Sequence, residues 1–232
     1  MRRFMLLVLS AAMCSWLFGI FWSRVGEEEL LTVTMAEQTQ TALRPVWQLP
    51  CAIPDTDLNA LGLGLYDGPF WEDGSGDEVI GICALVLKNE GEEFIREGEV
   101  WLESSTGRLE FAFSMLPPGE SVMIPEKNRQ KDRPVYLSGM GASVQVLPED
   151  MLMSQFKVEE LGQILLGITN QGEDAQSDLT LCFKTYDTPA QIYIGGSVKT
   201  YEMPELLPGQ TVEISPYGYV SGYSKVLSII RE

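Results

Sequence analysis

Histidine is absent from this chain of 232 residues. That absence removes Ser-His-Asp and Cys-His catalysis and every histidine metal site. Basic residues are scarce: 16 Lys and Arg stand against 33 Asp and Glu, for a net charge of −17. Three of those basic residues, Arg2, Arg3 and Arg24, precede the first acidic residue, Glu27, so the rest of the chain is more acidic still. A surface so negative repels phosphate backbones, and no basic patch offsets it, so nucleic acid is excluded as a partner. Cysteine is sparse too. Cys14, Cys51, Cys83 and Cys182 show no C-x-x-C spacing, which argues against a thiolate metal site or a redox pair. No N-x-[ST] sequon is present, so nothing argues for N-glycosylation.

What is there begins with an apolar run. Arg2 and Arg3 precede uncharged residues from Phe4 to Trp22, closed by Phe21 and Trp22. A helix of that length just spans a hydrocarbon core of about 30 Å, and aromatics suit its far boundary. Residues 1–24 are expected to be a signal anchor or signal peptide, with the positive end cytoplasmic and Gly26–Glu29 outside. Cleavage and lipidation at Cys14 are the rival fates of this segment. All three place the rest of the chain outside the cytoplasmic membrane.

Hydrophobic residues make up 45% of the chain, enough for a packed core. The remainder reads as two copies of one plan. Ile82–Glu126 and Gln163–Tyr217 both run as an apolar strand, N-x-G, an alternating strand, a variable hairpin, a Pro-Gly turn and another alternating strand. Asn89 and Gly91 correspond to Asn170 and Gly172, Pro118 and Gly119 to Pro208 and Gly209, and the stretch at Tyr136 to that at Tyr219. Self-similarity of this kind outranks any single motif. The internal period is that of strands: Leu109, Phe111 and Phe113 share one face, as do Leu179, Leu181 and Phe183, with Thr180, Cys182 and Lys184 outward. Each N-x-G is expected to use its glycine for a left-handed backbone position. The expected fold is all-β: an N-terminal transmembrane or signal helix, then two tandem immunoglobulin-like β-sandwich modules. The segments are 1–24, a stalk or linker with a strand in it (25–66), the first module (67–147), a connector holding a helical turn or an added strand (148–162) and the second module (163–232). The same alignment puts Cys83 beside core positions and Cys182 on the opposite face of a different module, too far apart for a disulfide. A single bridge to Cys51, or small buried thiols, are the two readings left.

Several stretches invite chemistry. Asp73, Ser75 and Asp77 alternate in a glycine-rich turn, as calcium ligands do, but no terminal bidentate Glu or flanking helix accompanies them. A solvated turn explains the same residues, with Phe70 and Trp71 packing over the end of the first module. Glu103 and Glu110 resemble a carboxylate pair but flank an expected hairpin. Gly195 and Gly196 follow a strand without any phosphate-loop pattern. Tyr186, Tyr193, Tyr201, Tyr217 and Tyr219 are candidates for a contact surface, or simply finish the sandwich edges. No catalytic, cofactor-binding or metal-ligating residue is therefore assigned, and no cofactor is expected.

The run from Tyr66 to Gly91, with the Pro-Gly turns and the Tyr217–Gly222 stretch, resembles exported proteins of anaerobic Gram-positive bacteria in which an anchor precedes two small β-modules. That resemblance covers about residues 60–232. It implies a place at the bacterial cell surface and carries over no catalytic residues. The expectation is a non-enzymatic, membrane-anchored binding or structural module of the cell envelope, with the membrane and an envelope protein as partners. An accessory or sensory ectodomain, a calcium-dependent adhesin and a carboxylate hydrolase are the alternatives.

Overall fold

A computed structural model describes residues 48–231, apart from residues 71, 73, 74, 105, 106, 132, 133 and 135. The apolar run Phe4–Trp22 and most of the expected stalk lie outside the described residues, as does Asp73. Among the described residues no helix is long and apolar enough to cross a membrane. They are all-β, and their strands are β1 (Cys51–Ala52), β2 (Leu58–Phe70), β3 (Asp77–Asn89), β4 (Ile95–Ser104), β5 (Gly107–Leu116), β6 (Ser121–Pro125), β7 (Leu137–Val146), β8 (Phe156–Glu160), β9 (Leu166–Asn170), β10 (Leu179–Asp187), β11 (Ile192–Met203), β12 (Thr211–Ile214) and β13 (Ser224–Arg231). Residues 148–162, expected to hold a helical turn or an added strand, contain a 3-10 turn at Glu149–Met151 and the strand β8.

The topology is duplicated. In the first half β2, β3 and β6 lie side by side, and a separate sheet runs β5-β4-β7. In the second half β8, β9 and β12 repeat the first order and β11-β10-β13 repeats the second. Pairing within each half is antiparallel. One parallel contact joins the halves: Tyr193 and Ile194 of β11 register with Val122 and Met123 of β6. The join fuses two sheets into one of seven strands, β1-β2-β3-β6-β11-β10-β13.

Each half has its own core. Leu85, Leu87, Val122 and Ile124 from one sheet meet Val100, Leu102, Leu109 and Phe111 from the other. In the second half Leu166 and Ile168 meet Leu181, Phe183 and Ile229. The alternation of β5 is realised, with Leu109, Phe111 and Phe113 all buried. Burying each such side chain stabilises by about 1.5–3 kcal/mol. The alternation of β10 is not realised: Thr180, Cys182 and Lys184 are as buried as their neighbours. Cys182 and Ile230 pack with Phe94, Met115 and Leu147 of the first half, so the face expected to be outward is covered by the other copy. Ile164, aligned with the buried Cys83, is 57% exposed, because it lies in the turn before β9 rather than in the strand.

The repeat is visible atom by atom at two asparagines. Asn89 Nδ2 donates to the carbonyls of Glu93 (2.9 Å) and Leu116 (3.3 Å), and its Oδ1 accepts from Gly91 N (3.0 Å). Asn170 Nδ2 donates to the carbonyls of Asp174 (2.9 Å) and Leu206 (3.0 Å), and its Oδ1 accepts from Gly172 N (2.9 Å). Both backbones also bond across to the Pro-Gly turn, through Gly119 N (2.8 Å) and Gly209 N (2.8 Å). Each buried amide thus ties the N-x-G turn to the strand that returns beside it, and its polar atoms are satisfied as burial demands. The glycines divide their work differently from the expectation. Gly119 and Gly209 take the left-handed backbone, with φ of 72° and 71°. Gly91 and Gly172 do not; a Cβ there would crowd Asp57 Cβ (2.9 Å) and Gln155 Cγ (3.1 Å), so those two serve close approach.

Candidate functional site at the junction of the two repeats

The least expected chemistry lies where the copies meet. Lys184 of β10 is fully buried. The ladder between β10 and β11 breaks there: Phe183 registers with Lys199 and Thr185 with Ile194, so residues between them on β11 bulge away. The Lys184 Nζ reaches into that bulge and donates to the carbonyl of Gly196 (2.7 Å), with Gly195 O at 3.5 Å. Gly196 N donates to Glu72 Oε1 (2.8 Å), and Ser114 of β5 bonds Val198 N (3.0 Å) and Gly196 O (3.4 Å). Gly196 lies so close to β5 that a Cβ would collide with the Ala112 carbonyl oxygen. The pair of glycines in the sequence is therefore a bulge that lets one backbone dock on another. Burial lowers the Lys184 amine to about 7, against which the Glu72 carboxylate pulls upward. An amine poised there is a nucleophile in principle, yet this one is enclosed and already donating to a carbonyl.

Beside the knot an open cleft of about 530 Å³ is lined by Glu72, Glu97, Glu99, Ser114, Ser143, Val144, Gln145, Gly196 and Ser197, among others. Glu99 is paired with Lys127 at 3.4 Å. The second oxygen of Glu72 is buried without a hydrogen-bond partner among the described residues. The cleft is acidic and shallow, suited to a cationic side chain along a strand rather than to an engulfed small molecule.

The residues singled out in the sequence do not assemble into one site. The described part of the acidic turn is held by Arg129, whose guanidinium lies 3.6 Å from Asp77 Oδ2, 3.2 Å from Ser75 Oγ and 4.7 Å from the centre of the Phe70 ring. Phe70 is buried at the end of the sheet. Among the described residues no three Cys, Asp or Glu converge as metal ligands. Glu103 and Glu110 both reach Arg108, at 3.6 and 3.3 Å, and Arg108 covers the Trp101 ring at 4.9 Å. Cys51, Cys83 and Cys182 are not disulfide-bonded to one another; Cys51 Sγ lies 3.6 Å from Met140 Sδ of β7. The five tyrosines disperse. Tyr186 and Tyr193 meet with ring centres 5.0 Å apart and planes tilted by 58°, beneath Lys225, which lies 2.8 Å from Glu120. Burial, with Glu120 nearby, pushes the Tyr193 hydroxyl up to about 12. Tyr219 is buried and donates to Glu160 at 2.5 Å, whereas Tyr217 is 96% exposed and Tyr201 packs on the second core.

Lys184 escaped the sequence reading because its alternation placed it outward. Two signals pointed to it: the paired glycines opposite, and the length of the second hairpin. No protein-family model matches the chain, and no curated protein is significantly similar to it.

Proposed function

We propose that this chain is a membrane-anchored, extracytoplasmic module of the bacterial cell envelope that acts by protein contact, not by catalysis. In this reading residues 1–24 hold the membrane and two immunoglobulin-like modules form the working part. The support for such modules is the strand order, β2-β3-β6 sharing a core with β5-β4-β7, in which β7 stands at the rim with no further strand beside it among the described residues. The observation that carries the contact reading is where the repeat's signature residues go. Asn89, Asn170, both Pro-Gly turns and the paired glycines all hold strands together, and the Lys184 amine is sealed between backbone carbonyls. The surface of the β-scaffold is what remains to meet a partner.

The test uses intact cells. A membrane-impermeant protease added outside should degrade a C-terminally tagged chain without lysis. Cross-linking and purification through the tag should recover an envelope protein in stoichiometric amount. A chain degraded only after lysis, or one that recovers no partner, rejects the proposal.

A further inference from the structure

β7 and β13 are equivalent strands, and their outer edges are treated differently. The chain leading into the second half caps β13: Leu152 bridges Ile230, and Met153 N donates to Ile229 O at 2.9 Å. The chain leading into the first half turns the other way, and Cys51 and Ala52 pair with Ala60 and Asn59 of β2. Among the described residues β7 therefore has one neighbour, β4. Its ten residues, LSGMGASVQV, contain no charge and no proline. Proteins normally blunt a long edge with one or the other, because bare N–H and C=O groups recruit strands.

The two faces of that edge differ. Val144 and Val146 share the core-facing side with Ala142, opposite Gly98 and Ile95, yet each is 37% exposed. Gly98 offers Val144 no side chain, and the Phe113 ring lies over that glycine instead. On the other side Ser143 registers with Glu99 and Gln145 with Glu97; these line the acidic cleft, which Val144 and Gly98 also line and where one Glu72 oxygen has no hydrogen-bond partner among the described residues. Glu97 has no cation within ion-pair distance among the described residues.

We propose that β7 is a strand-acceptor edge, and that its occupant is an extended segment of a partner protein whose side chains alternate apolar and basic. This rests on the contact reading above and names its surface. The added strand takes main-chain hydrogen bonds from β7. Its apolar side chains cover Val144 and Val146. Its lysines or arginines enter the cleft beside Glu97 and Glu72, where charge complementarity selects against acidic segments.

Two measurements on the full-length protein test this. The first uses an eight-residue peptide of alternating valine and lysine, with its valine–glutamate counterpart as control, and follows backbone hydrogen exchange. The lysine peptide should slow exchange across residues 138–146, and the glutamate peptide should not. Glu97→Lys and Val144→Lys should each weaken binding about tenfold or more, with unchanged melting temperatures showing that both variants fold. Absence of protection in β7, or binding indifferent to Glu97→Lys, overturns the proposal. The second places a photo-cross-linking side chain at Gln145, and separately at the exposed Leu207, in cells. Capture at Gln145 of a basic-apolar segment of another protein supports the proposal. Capture of residues 30–46 of this same chain means the edge is filled internally, and overturns it. Capture from Leu207 alone overturns it while leaving the contact reading standing, and capture from neither site removes both.

Discussion

The two halves agree at Asn89 and Asn170 and part company elsewhere. Both asparagines make the same three side-chain hydrogen bonds and the same backbone link to a Pro-Gly turn. Trp101 and Cys182 occupy equivalent positions, yet Trp101 is half-buried on an outer face under Arg108, while Cys182 is sealed against the other half. Tyr136 is 51% exposed where its counterpart Tyr219 is buried. A duplicated sequence thus specifies local hydrogen bonding in both copies. Which faces become core depends on where each copy sits in the shared sheet.

The strongest way to break that comparison is a charge at the divergent position. Cys182→Asp should cost about 4 kcal/mol or more in urea denaturation, since it buries a carboxylate without a partner, whereas Trp101→Asp should cost about 1 kcal/mol. Equal losses would mean that the two faces are not differently buried. At the shared position the expectation reverses. Asn89→Ala and Asn170→Ala should each lose about 3 kcal/mol, within about 1 kcal/mol of one another, because each leaves buried carbonyls without donors.

Lys184 stands where the first half has the half-exposed Glu103, and the difference should show through pH. With its amine held near 7 in the fold against 10.5 ordinarily, the unfolded chain binds the extra proton between those values. Stability contributed through Lys184 therefore rises from pH 7 toward 10.5 and is lowest below 7. Lys184→Met should melt higher than the natural protein at pH 6, by a margin that shrinks as pH rises to 10. A margin constant in pH would refute the buried-amine account. Gly119→Ala and Gly209→Ala should each cost about 1 kcal/mol, because no atom crowds either site and only the left-handed backbone objects. Arg108→Ala, at an exposed ion pair, should cost less than about 1 kcal/mol.

The all-β class and the duplication were legible because they rest on short-range features. N-x-G and Pro-Gly recur at matched places, and Leu109, Phe111 and Phe113 keep a strict period of two. Arg129, far along the chain, could not be foreseen as the partner of Ser75 and Asp77 in the acidic turn. The join between Val122 and Tyr193 was not legible, since a parallel pairing of distant residues leaves no local pattern. The misplacement of Cys182 and Lys184 follows from that one gap: alternation marks one covered face, and here the other copy covers the second. The role of Gly91 and Gly172 was misread for a smaller reason, because a glycine required for space looks in sequence like a glycine required for φ.

The parallel join also bears on how such a chain is made. Synthesis delivers β6 well before β11. Until the second half emerges, Ser121–Pro125 is the unguarded rim of a half-built sheet. The nascent chain therefore passes through an interval in which neighbouring copies could stick edge to edge, the hazard that multidomain chains meet during biogenesis. A stop codon between β7 and β8 would make that interval permanent. The shortened product should accumulate as aggregate rather than as a smaller working module, because the first repeat's core also takes in Tyr193 of β11, and Phe94, Met115 and Leu147 are covered by Cys182 and Ile230.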